Sequence, residues 1–159
     1  MKKCTDYLKI AAYGALCFFF LSFSTEDPLE AELAGLQQQL ADHYNAETSG
    51  KISGKYELRL TGSGFCRYKR FYRDGMTEYF SFNLSKLKDL DYYGSNRSGL
   101  LVLRTGSDDV IVQTYNRRRG EDVDSMARCM SIPVKNIEAE QLNTLALQFQ
   151  QLSLRFRKP

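Results

Sequence analysis

Phe65-Cys66-Arg67-Tyr68-Lys69-Arg70-Phe71-Tyr72-Arg73-Asp74-Gly75-Met76-Thr77-Glu78-Tyr79-Phe80-Ser81-Phe82-Asn83 is the stretch that decides the class of fold. Two aromatic-rich runs flank Asp74-Gly75, a dipeptide suited to the left-handed positions of a hairpin turn. The reading is a strand from Phe65 to Tyr72 that returns antiparallel from Met76 to Asn83. Strict alternation then places Arg67 and Lys69 on one face of the first strand and Arg70 on the other. Rings fall on both faces of this hairpin, more than a single buried face requires. If the second face is open it suits protein or carbohydrate contact. The expectation is that the N-terminal helix covers it.

The period-two pattern continues in both directions. Upstream, Tyr56, Leu58 and Leu60 alternate with Lys55, Glu57 and Arg59, and Gly62-Ser63-Gly64 turns the chain into the hairpin. Downstream come a short turn from Asn83 to Leu87 and a strand around Asp89 to Tyr93. Leu100 to Thr105 and Asp109 to Tyr115 read as a second hairpin across Gly106-Ser107-Asp108. A polar loop from Asn116 to Asp124 precedes a last strand, Met126 to Val134. Leu142, Leu145, Phe149, Leu152 and Phe156 then recur at helical spacing. Asn136 is the expected cap, Glu138 and Glu140 suit the first turn, and Arg155, Arg157 and Lys158 suit the last.

A second amphipathic helix lies ahead of the strands. Asp27-Pro28-Leu29-Glu30 is a helix start with a capping residue and Pro at the first helical position. Leu29, Leu33, Leu36, Leu40 and Tyr44 form its stripe, carrying it to about Asn45. That stripe packs on its own chain or pairs with a second copy as a homodimer. Residues 25–47 hold six carboxylates and no Lys or Arg, whereas residues 48–159 carry 19 basic and 12 acidic residues. The expected organisation is an acidic helix over 25–47, a linker over 48–53 and a β-domain with its closing helix over 54–159.

Residues 1–24 read as a cleaved export signal. Lys2, Lys3 and Lys9 precede an apolar run from Ile10 to Leu21, and Ser22 and Ser24 supply small residues at a cleavage site. The run is shorter than the ~20 residues of a spanning helix, so a secreted or periplasmic location without a transmembrane segment is expected. The full chain carries a formal net charge of +3. Removal of the leader's three Lys and one Asp brings it to about +1, which argues against a nucleic-acid binder.

Seven antiparallel strands followed by one helix make a mainly β fold: a barrel or sandwich capped by its C-terminal helix and preceded by the N-terminal one. This order over about Gly54 to Ser153 resembles the pleckstrin-homology-like superfold, from which the chain departs in having no Trp. The resemblance implies two nearly orthogonal sheets plugged by the last helix. It also implies a phosphoinositide grip near the first hairpin, at Arg67-Tyr68-Lys69-Arg70-Phe71, where Lys69 replaces the family's Arg. Alternation prevents Arg67, Lys69 and Arg70 from converging.

Of four cysteines, Cys4 and Cys17 leave with the leader, and an oxidising compartment favours a Cys66–Cys129 disulfide. Neither lies in a C-x-x-C motif, so redox catalysis is not indicated. His43 is the single histidine, far in sequence from any nucleophile, and there is no Gly-x-Ser-x-Gly or phosphate loop. Asp122 and Asp124 have the spacing of a calcium-loop start but lack its central Gly and distal Glu. No metal, cofactor or enzymatic activity is therefore expected. The candidate contact residues are Arg117, Arg118 and Arg119, a guanidinium cluster, with Tyr79, Tyr92 and Tyr93. They suit a non-catalytic binding domain that meets a protein or cell-envelope component. The alternative is a carrier of a small apolar ligand, which requires an interior cavity of about 300 Å³ or more.

Overall fold

The backbone follows the alternation of the sequence, but the strands pair in an order that the sequence does not show. The computed structural model describes residues 27–47, 52–116 and 122–157. The expected export signal, the Arg117–Arg119 cluster and most of the expected linker lie outside the described residues. The elements are α1 (Pro28–Asp42), β1 (Ile52–Leu60), β2 (Phe65–Tyr72) and β3 (Met76–Asn83). A single 3-10 turn (Leu84–Lys86) leads to β4 (Leu87–Ser95), β5 (Ser98–Thr105) and β6 (Val110–Asn116). The chain ends with β7 (Val123–Ala127), β8 (Cys129–Lys135) and α2 (Ala139–Arg157).

These form two antiparallel sheets, β1-β2-β3-β6-β7 and β4-β5-β8. The expected architecture, a barrel or sandwich, holds as a sandwich-like pair of sheets and needs two corrections. There are eight strands among the described residues, not seven, because the segment expected as one strand from Met126 to Val134 breaks at Arg128. β5 and β6 do not form a hairpin: β5 lies between β4 and β8, while β6 lies between β3 and β7. The two sheets therefore face each other without closing into a barrel.

One residue ties the two crossings together. Thr105, at the end of β5, donates from its N–H (2.8 Å) and from Oγ1 (3.1 Å) to the carbonyl of Arg128. Arg128 in turn reaches Asp108 at 3.0 Å. The corner from β5 to β6 and the corner from β7 to β8 thus lie side by side, each supplying the other's backbone partners.

Turn chemistry explains the hairpin. Gly75 has φ +90°, a backbone that only glycine adopts without strain. The Asp74 carboxylate accepts the Met76 N–H at 3.0 Å. The register runs Phe71 opposite Thr77, Lys69 opposite Tyr79 and Arg67 opposite Ser81.

The inner face of the larger sheet carries Leu58, Leu60, Cys66, Tyr68, Phe82 and Val110, and that of the smaller sheet Leu101, Leu103, Met130, Ile132 and Val134, all buried. α2 closes one open side with Leu145, Phe149 and Leu152 fully buried and Leu142 and Phe156 packed at the margin. Asn136 is not its cap. With φ 50° it turns the chain in the left-handed region, and Glu138 takes the capping position. The Glu138 carbonyl accepts the first helical bond from Leu142 at 3.0 Å. Its own N–H donates to Gln141 Oε1 at 2.8 Å, the return half of a capping box. Near the helix end, Gly64 (φ +82°) lets the backbone pass against the Phe156 ring, where a Cβ would come within 2.9 Å.

α1 begins as expected, with Asp27 Oδ1 accepting the Leu29 N–H at 2.9 Å. It ends at Asp42 rather than near Asn45, because backbone pairing captures the next residues. Tyr44 bridges Val134 in antiparallel fashion, and Asn45 N–H donates to Pro133 O at 2.9 Å. Residues 43–45 thereby extend the smaller sheet beyond β8. Leu33, Leu36 and Leu40 are buried within the chain, and each such burial contributes about 1.5–3 kcal/mol gross. Gln37 Oε1 accepts the Leu60 N–H at 3.0 Å, occupying part of the β1 rim. Two links run between the helices, Arg155 to Glu32 at 3.2 Å and Gln141 to His43 at 3.3 Å.

Candidate binding surface on the larger sheet

The outer face of the larger sheet can be assembled row by row from its register. One row runs Glu57, Lys69, Tyr79, Gln113, Asp124; the next runs Arg59, Arg67, Ser81, Ile111, Met126; a third holds Phe71, Thr77 and Tyr115. α1 does not lie over this face, which corrects the expected covering. The helix stripe is drawn instead toward the inner core, where Tyr44 stacks on Tyr56 with ring centroids 3.5 Å apart. Ile111, Tyr115 and Met126 are left 42%, 38% and 55% exposed.

Basic residues gather on the β1–β2 half of this face. Arg59, Arg67 and Lys69 share it with a single acid, Glu57, and Lys55 precedes them on β1. Among the described residues none of these four cations has a carboxylate within 4.0 Å. The ion pairs are Arg70–Glu78, Arg104–Asp91, Arg128–Asp108 and Arg155–Glu32. Aromatic rings hold two of the cations instead: Arg67 lies 5.5 Å from the Phe65 centroid and Lys69 4.9 Å from that of Phe71. Two open clefts adjoin at Lys69. One, of about 240 Å³, is lined by Glu57, Arg59, Arg67, Lys69 and Tyr79. The other, of about 380 Å³, is lined by Lys69, Phe71, Thr77 and Tyr115 with the hairpin tip.

The opposite face of the same strands is a closed network. Glu78 Oε2 accepts from Arg70 Nε and from the Tyr72 hydroxyl, both at 2.5 Å. The Arg70 guanidinium lies 5.5 Å from the Tyr72 centroid and 5.2 Å from that of Phe80. Tyr44 and Tyr68 share a hydroxyl hydrogen bond of 3.0 Å. Burial, and then the bond to Glu78, push the Tyr72 hydroxyl up to about 12. Burial likewise raises Tyr68 and Tyr44 above the ordinary phenol value. For Arg70 burial opposes the charge, but the hydrogen bond and attraction of Glu78 outweigh it and the guanidinium pKa rises. This network is satisfied within the protein, whereas the outer face is not.

The expected contact residues separate. Tyr79 lies on the outer face between Lys69 and Gln113. Tyr92 and Tyr93 belong to the smaller sheet. Tyr92 packs its ring against Gly99 and donates to the Ser95 carbonyl. Tyr93 is 53% exposed and accepts from Arg104 Nη2 at 2.9 Å. Arg117, Arg118 and Arg119 lie outside the described residues. Arg59, Gln113, Ile111 and Tyr115 were not singled out from the sequence. Their alternation was visible, but their neighbours depend on β6 lying beside β3.

Cys66 and Cys129, the expected disulfide pair, are not bonded to each other in this structure. Cys66 points into the core from β2 and is fully buried, while Cys129 opens β8 in the other sheet opposite Arg104. Burial pushes the Cys66 thiol well up, so it packs as a small hydrophobe. A thiol reagent should therefore modify Cys129 in the folded domain and Cys66 only on unfolding. Equally fast labelling of both would contradict this placement. His43 does not meet Cys66: its Nδ1 lies 3.2 Å from the Lys135 carbonyl and its Nε2 faces Gln141. Among the described residues no group of three or more His, Cys, Asp or Glu side chains is placed to hold a metal ion. No helix among them is long and apolar enough to cross a membrane.

No family model, curated protein or solved structure matches the chain.

Proposed function

We propose that this chain is an exported, non-catalytic binding module that engages a component of the cell envelope through the outer face of its larger sheet. The observation that carries this reading is the group of cations without carboxylate partners, set among half-buried rings and the exposed Tyr115 on a face that α1 leaves open. A charged patch held by aromatic neighbours rather than by its own acids is available to an outside anion. The filled interior favours this reading over an apolar-ligand carrier. Tyr68, Phe82, Phe149, Leu101 and Ile132 are all below 2% exposed and occupy the space a carrier would keep open.

The mature domain should co-sediment with envelope fragments of the cells that produce it. The double substitution Arg59→Ser, Lys69→Ser should lower its affinity about tenfold or more, equivalent to ~1.4 kcal/mol. Both residues point outward, so thermal unfolding should be nearly unchanged. Undiminished sedimentation of the double variant would remove the support for this surface.

A further inference from the structure

We infer that the ligand of the outer face is a carboxylated polysaccharide strand, lying over β1, β2 and β3; this rests on the binding-module reading above. Charge sets the first condition. Arg59, Arg67 and Lys69 stand on one face of two neighbouring strands against Glu57 alone. Arg59 faces Arg67 across the strand pair, and Arg67 and Lys69 follow two residues apart. Strand geometry sets neighbouring charges at roughly 5 Å across the sheet and ~7 Å along it. A polymer with an acid on each unit meets such a lattice repeatedly, whereas a single small anion would use one position.

The groups between the cations set the second condition. Tyr79 and Tyr115 offer rings, and Gln113 and Thr77 offer polar side chains within the same rows. Tyr115 donates to Gln113 Oε1 at 3.1 Å, which fixes the amide in the row beside Tyr79. Sugar units present C–H faces and hydroxyl rims together, and amphipathic rings beside amides match both. The two clefts that share Lys69 are open to solvent rather than enclosed, as a chain that extends past the site requires.

An acidic peptide fits less well. β2 and β3 are interior strands with both edges paired, so an extended peptide on this face gains none of the backbone hydrogen bonds that strand addition supplies. An amphipathic helix would seek a continuous apolar groove, and here the rings are interrupted by charges.

The test uses the mature domain with polygalacturonate, neutral dextran and poly-L-glutamate in affinity electrophoresis at low salt. The expected result is retardation by polygalacturonate, none by dextran, and weaker retardation by poly-L-glutamate. Lys69→Gln and Arg67→Gln should each weaken the polygalacturonate interaction about tenfold, and raising the salt should weaken it further. Tyr79→Ala should weaken retardation by polygalacturonate while leaving that by poly-L-glutamate unchanged. Equal or stronger retardation by poly-L-glutamate, or by dextran, overturns the inference. So does a polygalacturonate interaction indifferent to Lys69→Gln and Tyr79→Ala. A domain that sediments with envelope fragments in an Arg59- and Lys69-dependent way yet ignores polygalacturonate loses the glycan assignment and keeps the module reading. Failure of both assays removes both.

Discussion

Phe149→Ala is expected to lower the free energy of unfolding by about 3–5 kcal/mol, the usual loss when a fully buried ring is truncated. Phe149 sits midway along α2 with no exposed surface, between Leu145 and Leu152. It is among the largest fully buried side chains of the described core, beside Tyr68 and Phe82. The surroundings have little freedom to collapse into the space. Near its C-terminus, α2 is fixed by Ser153 donating to the Leu87 carbonyl at 3.2 Å and by Arg157 donating to the Ser85 carbonyl at 2.9 Å. At its start, Gln141 ties the first turn to His43 and to the Glu138 N–H. A cavity held open by such ties keeps most of its cost. Urea unfolding of Phe149→Ala beside Leu147→Ala, whose parent residue is 59% exposed, measures the difference. The control should change stability by no more than ~0.5 kcal/mol. A loss below about 1 kcal/mol at Phe149 would mean that α2 does not plug the space between the sheets.

A steep loss of stability in alkali is the second large effect expected, and it originates in the tyrosine network on the inner face. Tyr72 titrates at about 12 in the folded protein, and Tyr68 and Tyr44 are also raised, against an ordinary value of 10.0. Below pH 10 all three hold their protons in both folded and unfolded chains, so their contribution is fully present. Above pH 10 the unfolded chain releases protons that the folded chain retains, and stability falls as the pH climbs through the folded values. For Tyr68, with no exposed surface, the slope approaches ~1.4 kcal/mol per pH unit. Phenolate absorbance followed together with urea midpoints should show ionisation and unfolding coinciding between pH 10 and 12. The pair Tyr44→Phe, Tyr68→Phe removes both members of the shared hydroxyl bond, leaving neither buried without a partner, and should flatten that fall. An unchanged slope in the double variant would show that these hydroxyls are not protected as described.

The hairpin around Asp74-Gly75 was legible because its signals are local: a turn dipeptide, period-two alternation, and charges that sort to opposite faces. That reading placed Arg67 and Lys69 together and Arg70 opposite, as the register shows. The break at Arg128 was hidden for an equally local reason. Met126, Met130, Ile132 and Val134 all fall on even positions, interrupted only by Arg128, although Met126 faces outward from the larger sheet while Met130 faces the core of the smaller one. Alternation records which residues share a side of a strand, and is silent about which sheet the strand has joined. The same limit hid the β3–β6 pairing, which gathers Thr77, Tyr79, Gln113 and Tyr115 into one surface from segments over thirty residues apart. For α1, spacing announced that Leu33, Leu36 and Leu40 need a partner but could not say where, and the covering of the outer rings was placed wrongly on that account.

Residues 43–45 carry a consequence for the behaviour of the protein outside its folded context. By lying against β8 they cap a row of amide and carbonyl groups that would otherwise invite a neighbouring molecule to continue the ladder, and Gln37 blunts the rim of β1 in a similar way. The N-terminal segment thus covers part of two strand edges as well as contributing α1 to the core. A protease nick that freed the N-terminal segment would uncover that edge of β8.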